Sequence, residues 1–260
     1  MKKQLIILTL LSTLLFSATP EQVEKYISIS NSEEQLISLE SQFSAMQNNI
    51  NSLESNTSKN ANPYDMQLLS IRFREYLQKA LSEDEMEKVL QQYKNVLLLQ
   101  FVSLQGDPEF NPKEATAYVK ELQENSESTI RIELAQKISE ALYKKEAISI
   151  LFDNLMKPLM ENSIGGKKMS KEVLEKSREQ YIKIMKEESK IETIYFTKEF
   201  TQEELEELLK IAKNPIMDHE SKAVFGAMAY ALKEFFVLMA SRYDTGNHQA
   251  HSTENTTHSK

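Results

Sequence analysis

The densest group of side chains able to bind a metal or move a proton is the glutamate run Glu203, Glu204, Glu206 and Glu207. On a helix, adjacent residues face different ways, and only Glu203 and Glu207, four apart, share a face. The positive end of the helix dipole stabilises negative charge in a first turn, which accounts for the run without any chemistry. Gly165-Gly166-Lys167-Lys168 has the look of a phosphate loop. Such a loop needs a Gly five residues before its Gly-Lys pair and a Ser or Thr after it; Glu161 and Lys168 stand there instead. His248, His251 and His258 lie in a polar tail that offers no fixed geometry for a transition metal. His219 is the one histidine in the part expected to fold, with no evident partner. Cysteine is absent, which excludes thiol catalysis, disulfides and a lipid-anchoring thiol. No serine sits in a nucleophile-elbow glycine pattern. The expectation is a protein without catalytic residues, metal or cofactor.

Methionine and aromatic residues of the second half offer another kind of chemistry. Met156, Met160, Met185, Phe235, Phe236 and Met239 could line an apolar groove, because flexible thioethers adapt to varied partners. Core filling is the competing use of the same residues.

The elements that must hold these side chains are organised by a repeated start signal. Thr201 and Glu204 form a capping box, the hydroxyl accepting from a first-turn N–H while the carboxylate reaches back to the cap. Phe200 and Leu205 occupy the hydrophobic-staple positions around it. An earlier copy uses Leu81, Ser82, Glu85 and Met86. In the same register Tyr76 pairs with Tyr195, Lys79 with Lys198, Glu87 with Glu206, and Lys94-Asn95 with Lys213-Asn214. Upstream, at a different offset, Glu34, Leu36, Leu39 and Phe43 match Glu146, Ile148, Leu151 and Leu155. These matches predict an internal duplication.

With 5 Gly, 6 Pro and no Trp in 260 residues, the composition favours long helices over strands. Ser32 with Gln35 predicts a capped helix carrying Leu36, Leu39, Phe43, Met46 and Ile50 on one face. The Asn- and Ser-rich stretch 48–62 predicts a flexible linker. Asn62-Pro63 and Asn111-Pro112 each open a helix. One helix is expected from Glu83 to about Leu104, apolar all round at Val96–Leu99 and therefore buried on every side. Helical pattern fills 128–160, with Pro158 kinking or closing its end. A last helix is expected over Ile216–Tyr243, then a disordered tail over 244–260.

Lys2 and Lys3, an apolar run Leu5–Phe16, and Ser17-Ala18 have the order of an export signal cut near Ala18, residues 1–18. Phe16 stands where a small residue is wanted, so an uncleaved anchor is the alternative. After cleavage no stable membrane span is expected. The formal net charge of -8 argues against nucleic acid and anionic lipid as partners.

The segment FTQEELEELLKIAKNP resembles the signature of domain-of-unknown-function family 2059, a group of exported bacterial all-helical proteins. The resemblance lies in Phe200-Thr201, Glu203–Leu205, Leu208-Leu209 and Pro215, over about the last third of the chain. Met217 and His219 stand where members usually carry Gly and Lys, which suggests a divergent or tandem member. The resemblance implies an exported helical fold and no catalytic residues. The combined expectation is an all-α protein of two related antiparallel helical-bundle halves, 19–110 and 111–243. Its expected role is non-enzymatic binding or assembly in the bacterial envelope, with an unidentified protein or peptide held in a groove between the halves. A carrier of an apolar small molecule or lipid is the alternative.

Overall fold

A computed structural model describes residues 17–51, 63–107, 109–125, 128–163 and 169–254, with side chains described outside 42–51, 63–65, 161–163 and 237–254. The protein is all-α. The helices are α1 (Pro20–Ser30), α2 (Ser32–Asn51), α3 (Pro63–Ala80), α4 (Glu83–Gln92), α5 (Val96–Gln105) and α6 (Pro112–Glu124). They continue as α7 (Thr129–Leu142), α8 (Lys145–Leu151), a π-helical turn (Phe152–Met156) and α9 (Lys157–Ser163). The chain closes with α10 (Lys171–Phe196), α11 (Gln202–Ala212) and α12 (Pro215–Glu254).

Both capping boxes form. The Thr201 hydroxyl accepts from the N–H of Glu204 at 3.2 Å, and Glu204 accepts from the N–H of Thr201 at 2.7 Å. Ser82 and Glu85 exchange the same bonds at 3.3 and 2.9 Å. The staple residues Leu81, Met86, Phe200 and Leu205 are all buried. Each motif then ends at an Asn that caps the next helix: Asn95 accepts from Leu97 N–H at 2.8 Å and Asn214 from Ile216 N–H at 3.2 Å. Arg131 on α7 holds the turn before the second motif, donating to the carbonyls of Thr197, Lys198 and Phe200. Replacing Thr201 or Ser82 with Ala is expected to lower the unfolding free energy by about 1 kcal/mol each. Urea denaturation of the two variants checks this; parental midpoints would mean that water replaces the caps without loss.

Several elements differ from expectation for local reasons. Asn95 interrupts the expected helix from Glu83 to Leu104, because its side chain takes the N–H of Leu97 and starts α5 afresh. Val96, at the exposed start of α5, is 72% accessible, so this helix is not covered on every side. The Ser32–Gln35 box does not form. Ser32 is already helical, its hydroxyl meets that of Ser30 at 2.8 Å, and Asn31 makes the break with φ 58°. A capping box appears instead at Thr19 and Gln22, opening α1. Pro158 acts upstream of itself: lacking an N–H, it cannot bond back to Asn154. The helix widens there, and the Lys157 N–H bonds to the carbonyl of Phe152. The last helix runs to Glu254, past the expected tail boundary, since no Pro follows Pro215 and neither Gly226 nor Gly246 stops it. Residues 255–260, and with them His258, lie outside the described residues, as does most of the expected linker, 52–62.

One core runs through both sequence halves. It includes Tyr26, Phe73, Leu77, Met86 and Phe101 from before residue 110 and Leu151, Phe200, Leu205, Leu232 and Phe235 from after it. Helix α12 lies mainly along α3 and α8, while α11 packs on α7, and α10 on α7 and α6. Small residues Ala223, Ala227 and Ala231 give α12 a flat contact face, and a Cβ on Gly226 would stand 2.7 Å from the Tyr76 hydroxyl. A smaller cluster of Val119, Ala135 and Ile194 holds α6, α7 and α10 together. The place of a groove between the halves is therefore taken by packed side chains. At the other end, Ser17 bridges to Ser82, and Ala18, 1% exposed, donates its N–H to Leu81 O at 3.0 Å. Ala18 is thus built into the fold.

Candidate functional site

Two places on the molecule bring chemistry-bearing side chains together. The first is the corner where α1 and α4 meet the start of α12. Here Glu220, 6% exposed, accepts two hydrogen bonds on the same oxygen, Oε1. Tyr26 on α1 donates at 2.7 Å, and Tyr93, just after α4, donates at 2.6 Å. The two rings meet edge to face, with centroids 5.7 Å apart. Burial pushes the Glu220 carboxyl above its ordinary value, and the two donors only partly offset that. Burial and the facing carboxylate raise both tyrosine hydroxyls well above theirs.

The preceding residue, His219, points elsewhere. Its Nδ1 lies 2.8 Å from Glu85 Oε1, on a pair whose side chains are 54% and 31% exposed. Glu85 Oε2 meanwhile accepts from both the N–H and the hydroxyl of Ser82. These bonds, the backbone one first, hold the Glu85 carboxyl below its usual range. Ser, Glu and His are therefore in contact, but in the wrong order for acyl transfer. A hydrolytic triad sets the imidazole between hydroxyl and carboxylate, so that it can take the hydroxyl proton. Here the carboxylate stands between, and the serine hydroxyl already caps α4. The second carboxylate, Glu220, turns into the core toward the tyrosines. His219 thus has one carboxylate beside it, and it lines neither the cavity between α1, α2, α3 and α5 nor the one beside the π-helical turn.

The second place is a cavity of about 550 Å³, open to solvent, between α1, α2, α3 and α5. Ile27 and Val102 form its floor; Ile29 and Leu99, both partly buried, form its walls. Glu24, Glu33, Glu34, Arg74, Ser28 and Ser103 make its rim. Arg74 is committed within that rim. Its Nη1 and Nη2 each donate to one oxygen of Glu33 at 2.8 Å, and Nε donates to Glu24 at 2.9 Å. A bidentate pair of this kind sets geometry as well as charge. Asn31, in the left-handed region, turns the chain from α1 to α2 and donates its Nδ2 to the carbonyl of Val102 at 3.3 Å. Gly106 makes room for that side chain: a Cβ there would lie 1.6 Å from Asn31 Nδ2. Gly106→Ala is expected to expel the Asn31 amide, unpin the α1–α2 turn and cost about 2 kcal/mol. Thermal unfolding reads the loss; a parental melting temperature would show that the amide has another seat.

The expected groove residues do not meet in either cavity. Phe235 and Phe236 are core residues at 3% and 4% exposure, stacked edge to face, and Met156 packs against the same core. Met160 and Met185 are partly buried outside that core cluster, and the side chain of Met239 lies outside the described residues. A second, smaller cavity of about 300 Å³ is lined by Phe152, Leu174, Met169, Lys157, Arg178 and neighbours, and none of the six belongs to it. Glu203, Glu204, Glu206 and Glu207 sit in the first turns of α11, where Glu207 accepts from Asn95 Nδ2 at 2.7 Å and Glu206 from Gln202 at 3.0 Å. Among the described residues, no group of three or more His, Cys, Asp or Glu could hold a metal ion, and no helix is long and apolar enough to cross a membrane.

No family model matches the chain, and no curated protein or solved structure matches it.

Proposed function

We propose that this chain is an exported, non-enzymatic binding or assembly protein of the bacterial envelope. It uses the cavity between α1, α2, α3 and α5 to hold a segment of another protein. The observation that carries the reading is that cavity: an apolar floor, a polar rim and walls fixed by Arg74 and Asn31 before any partner arrives. Pre-formed walls reduce the ordering cost of association. The warrant for export is the basic, apolar and small-residue order of residues 1–18. Affiliation with the unknown-function family 2059, and descent of the two capped motifs from one ancestral unit, belong to the same proposal. The matching Asn caps at Asn95 and Asn214 support the common descent.

Crosslinking in the native envelope, followed by purification and mass spectrometry, tests this. A reproducible partner crosslinked through α1, α2 or α5 supports the reading; crosslinks confined to α6–α10, or recovery from the cytoplasmic fraction alone, overturns it. Carriage of a lipid is less well supported, because the cavity is open and its rim is charged. Organic extraction that recovers a stoichiometric lipid would reverse that order.

A further inference from the structure

We infer that the cavity between α1, α2, α3 and α5 takes a basic amphipathic peptide segment, with the alkyl stem of a Lys or Arg lying on Ile29 and Leu99 and its cationic end among Glu24, Glu33 and Glu34. The inference rests on the binding reading above and deepens it, naming the partner's chemistry.

Charge is the first argument. The rim carries three carboxylates and one guanidinium, and Arg74 is already shared between Glu24 and Glu33. That leaves an excess of negative charge, with Glu34 exposed at the first turn of α2. An anionic ligand would meet that field with no cation left to receive it; a cationic one is drawn in.

Shape is the second. Between the polar groups the lining offers Ile27, Ile29, Leu99 and Val102, so a fully hydrated cation such as a metal ion gains nothing from that apolar part. A side chain with an apolar stem and a charged end matches both parts, as Lys and Arg do when the stem packs and the head stays in water. The apolar surface also continues beyond the cavity. Val96 lies three residues before Leu99 on α5, a spacing that puts both on one side of a helix, and it is 72% exposed. An apolar neighbour of the basic residue would rest there, which makes the partner a segment and not a single small cation.

Nuclear magnetic resonance of the full chain, observing the methyls of Ile27, Ile29, Leu99 and Val102, tests the assignment. Three probes are titrated: an amphipathic peptide of Leu and Lys, its Leu and Glu counterpart, and octanol. The expected result is that only the basic peptide shifts these methyls, and that added salt weakens it. Ser103 is exposed on the cavity lining. Ser103→Lys places a cation in the rim and is expected to weaken the basic peptide about tenfold, while Gln123→Lys, which adds the same charge on the exposed face of α6 away from the cavity, leaves it unchanged. Equal binding of both peptides at these methyls would overturn the charge assignment while the binding reading stands. Shifts from octanol alone would overturn both in favour of a carrier. Basic-peptide shifts that avoid these methyls, or that ignore Ser103→Lys, would mean diffuse attraction to an acidic protein and would overturn the site.

Discussion

Replacing Glu220 with Ala is expected to lower the unfolding free energy by about 3 kcal/mol or more, whereas Gln at the same position leaves the protein folded and less sensitive to pH. The reason lies in which oxygen is used. Tyr26 and Tyr93 both donate to Oε1, so removing the carboxyl strands two buried hydroxyls and leaves a cavity. Gln retains an oxygen at that position and never carries the charge that burial penalises. The pH dependence has a definite sign. Burial raises the folded-state value of Glu220 above its ordinary 4.5, so its contribution to stability is complete below that value and is lost as pH rises toward the raised one. Urea denaturation of parent and variants between about pH 4 and about pH 8 measures both effects. If the Ala variant matched the parent, the hydroxyls would have found other acceptors. An unchanged pH slope in the Gln variant would mean that Glu220 does not titrate in this range.

Glu192 on α10 gives the second large effect, of the same sign and for a different reason. Burial first, and the charge of Glu188 second, push its carboxyl from 4.5 up to about 7. Among the described residues, no tyrosine hydroxyl donates to it as two do to Glu220. Burial, and then the Glu192 charge, likewise raise the hydroxyl of Tyr143, which accepts from Gln105 at 2.7 Å. Keeping Glu192 ionised in the folded protein therefore costs up to about 3 kcal/mol at alkaline pH and nothing below its ordinary value. Glu192→Gln is expected to stabilise the protein by up to about that amount near pH 8, and by nothing near pH 4. Equal stabilisation at both ends would point to packing, not ionisation. Between them, Glu220 and Glu192 make the protein firmer in mildly acid than in alkaline solution.

Features that depend on neighbours three or four residues away were legible in the sequence. The boxes at Ser82 and Thr201, the openings at Asn111 and Pro112, and the break after Lys213 each need only a local hydrogen bond. The all-α class follows from many such signals agreeing. Other features were hidden because tertiary placement creates them. Glu220 and Glu192 read as ordinary surface glutamates in amphipathic helices until α1, α4 and α7 are in position. Arg74 finds Glu33 across 41 residues, and no spacing rule connects them. Asn31 carries no distinct signal beside Ser32, because the two residue types are comparable caps. Phe235 and Phe236 are hidden for a related reason: they have the composition of a binding surface and the location of a core. Both uses share one pattern, and only packing separates them.

The contact between Tyr26 and Glu220 spans 194 residues, and α12 finds its main partner in α3. Closing so long a loop is slow, because chain entropy is lost before any contact compensates for it. A chain emerging from its N-terminus has α1, α3 and α4 early but lacks the helix that covers them. Its apolar faces stay uncovered until residues near 220–236 arrive. Synthesis order is therefore expected to delay closure of the core until α12 is made. For the export proposed above, threading through a narrow channel needs a chain that is still open, and the position of the last helix would supply that delay.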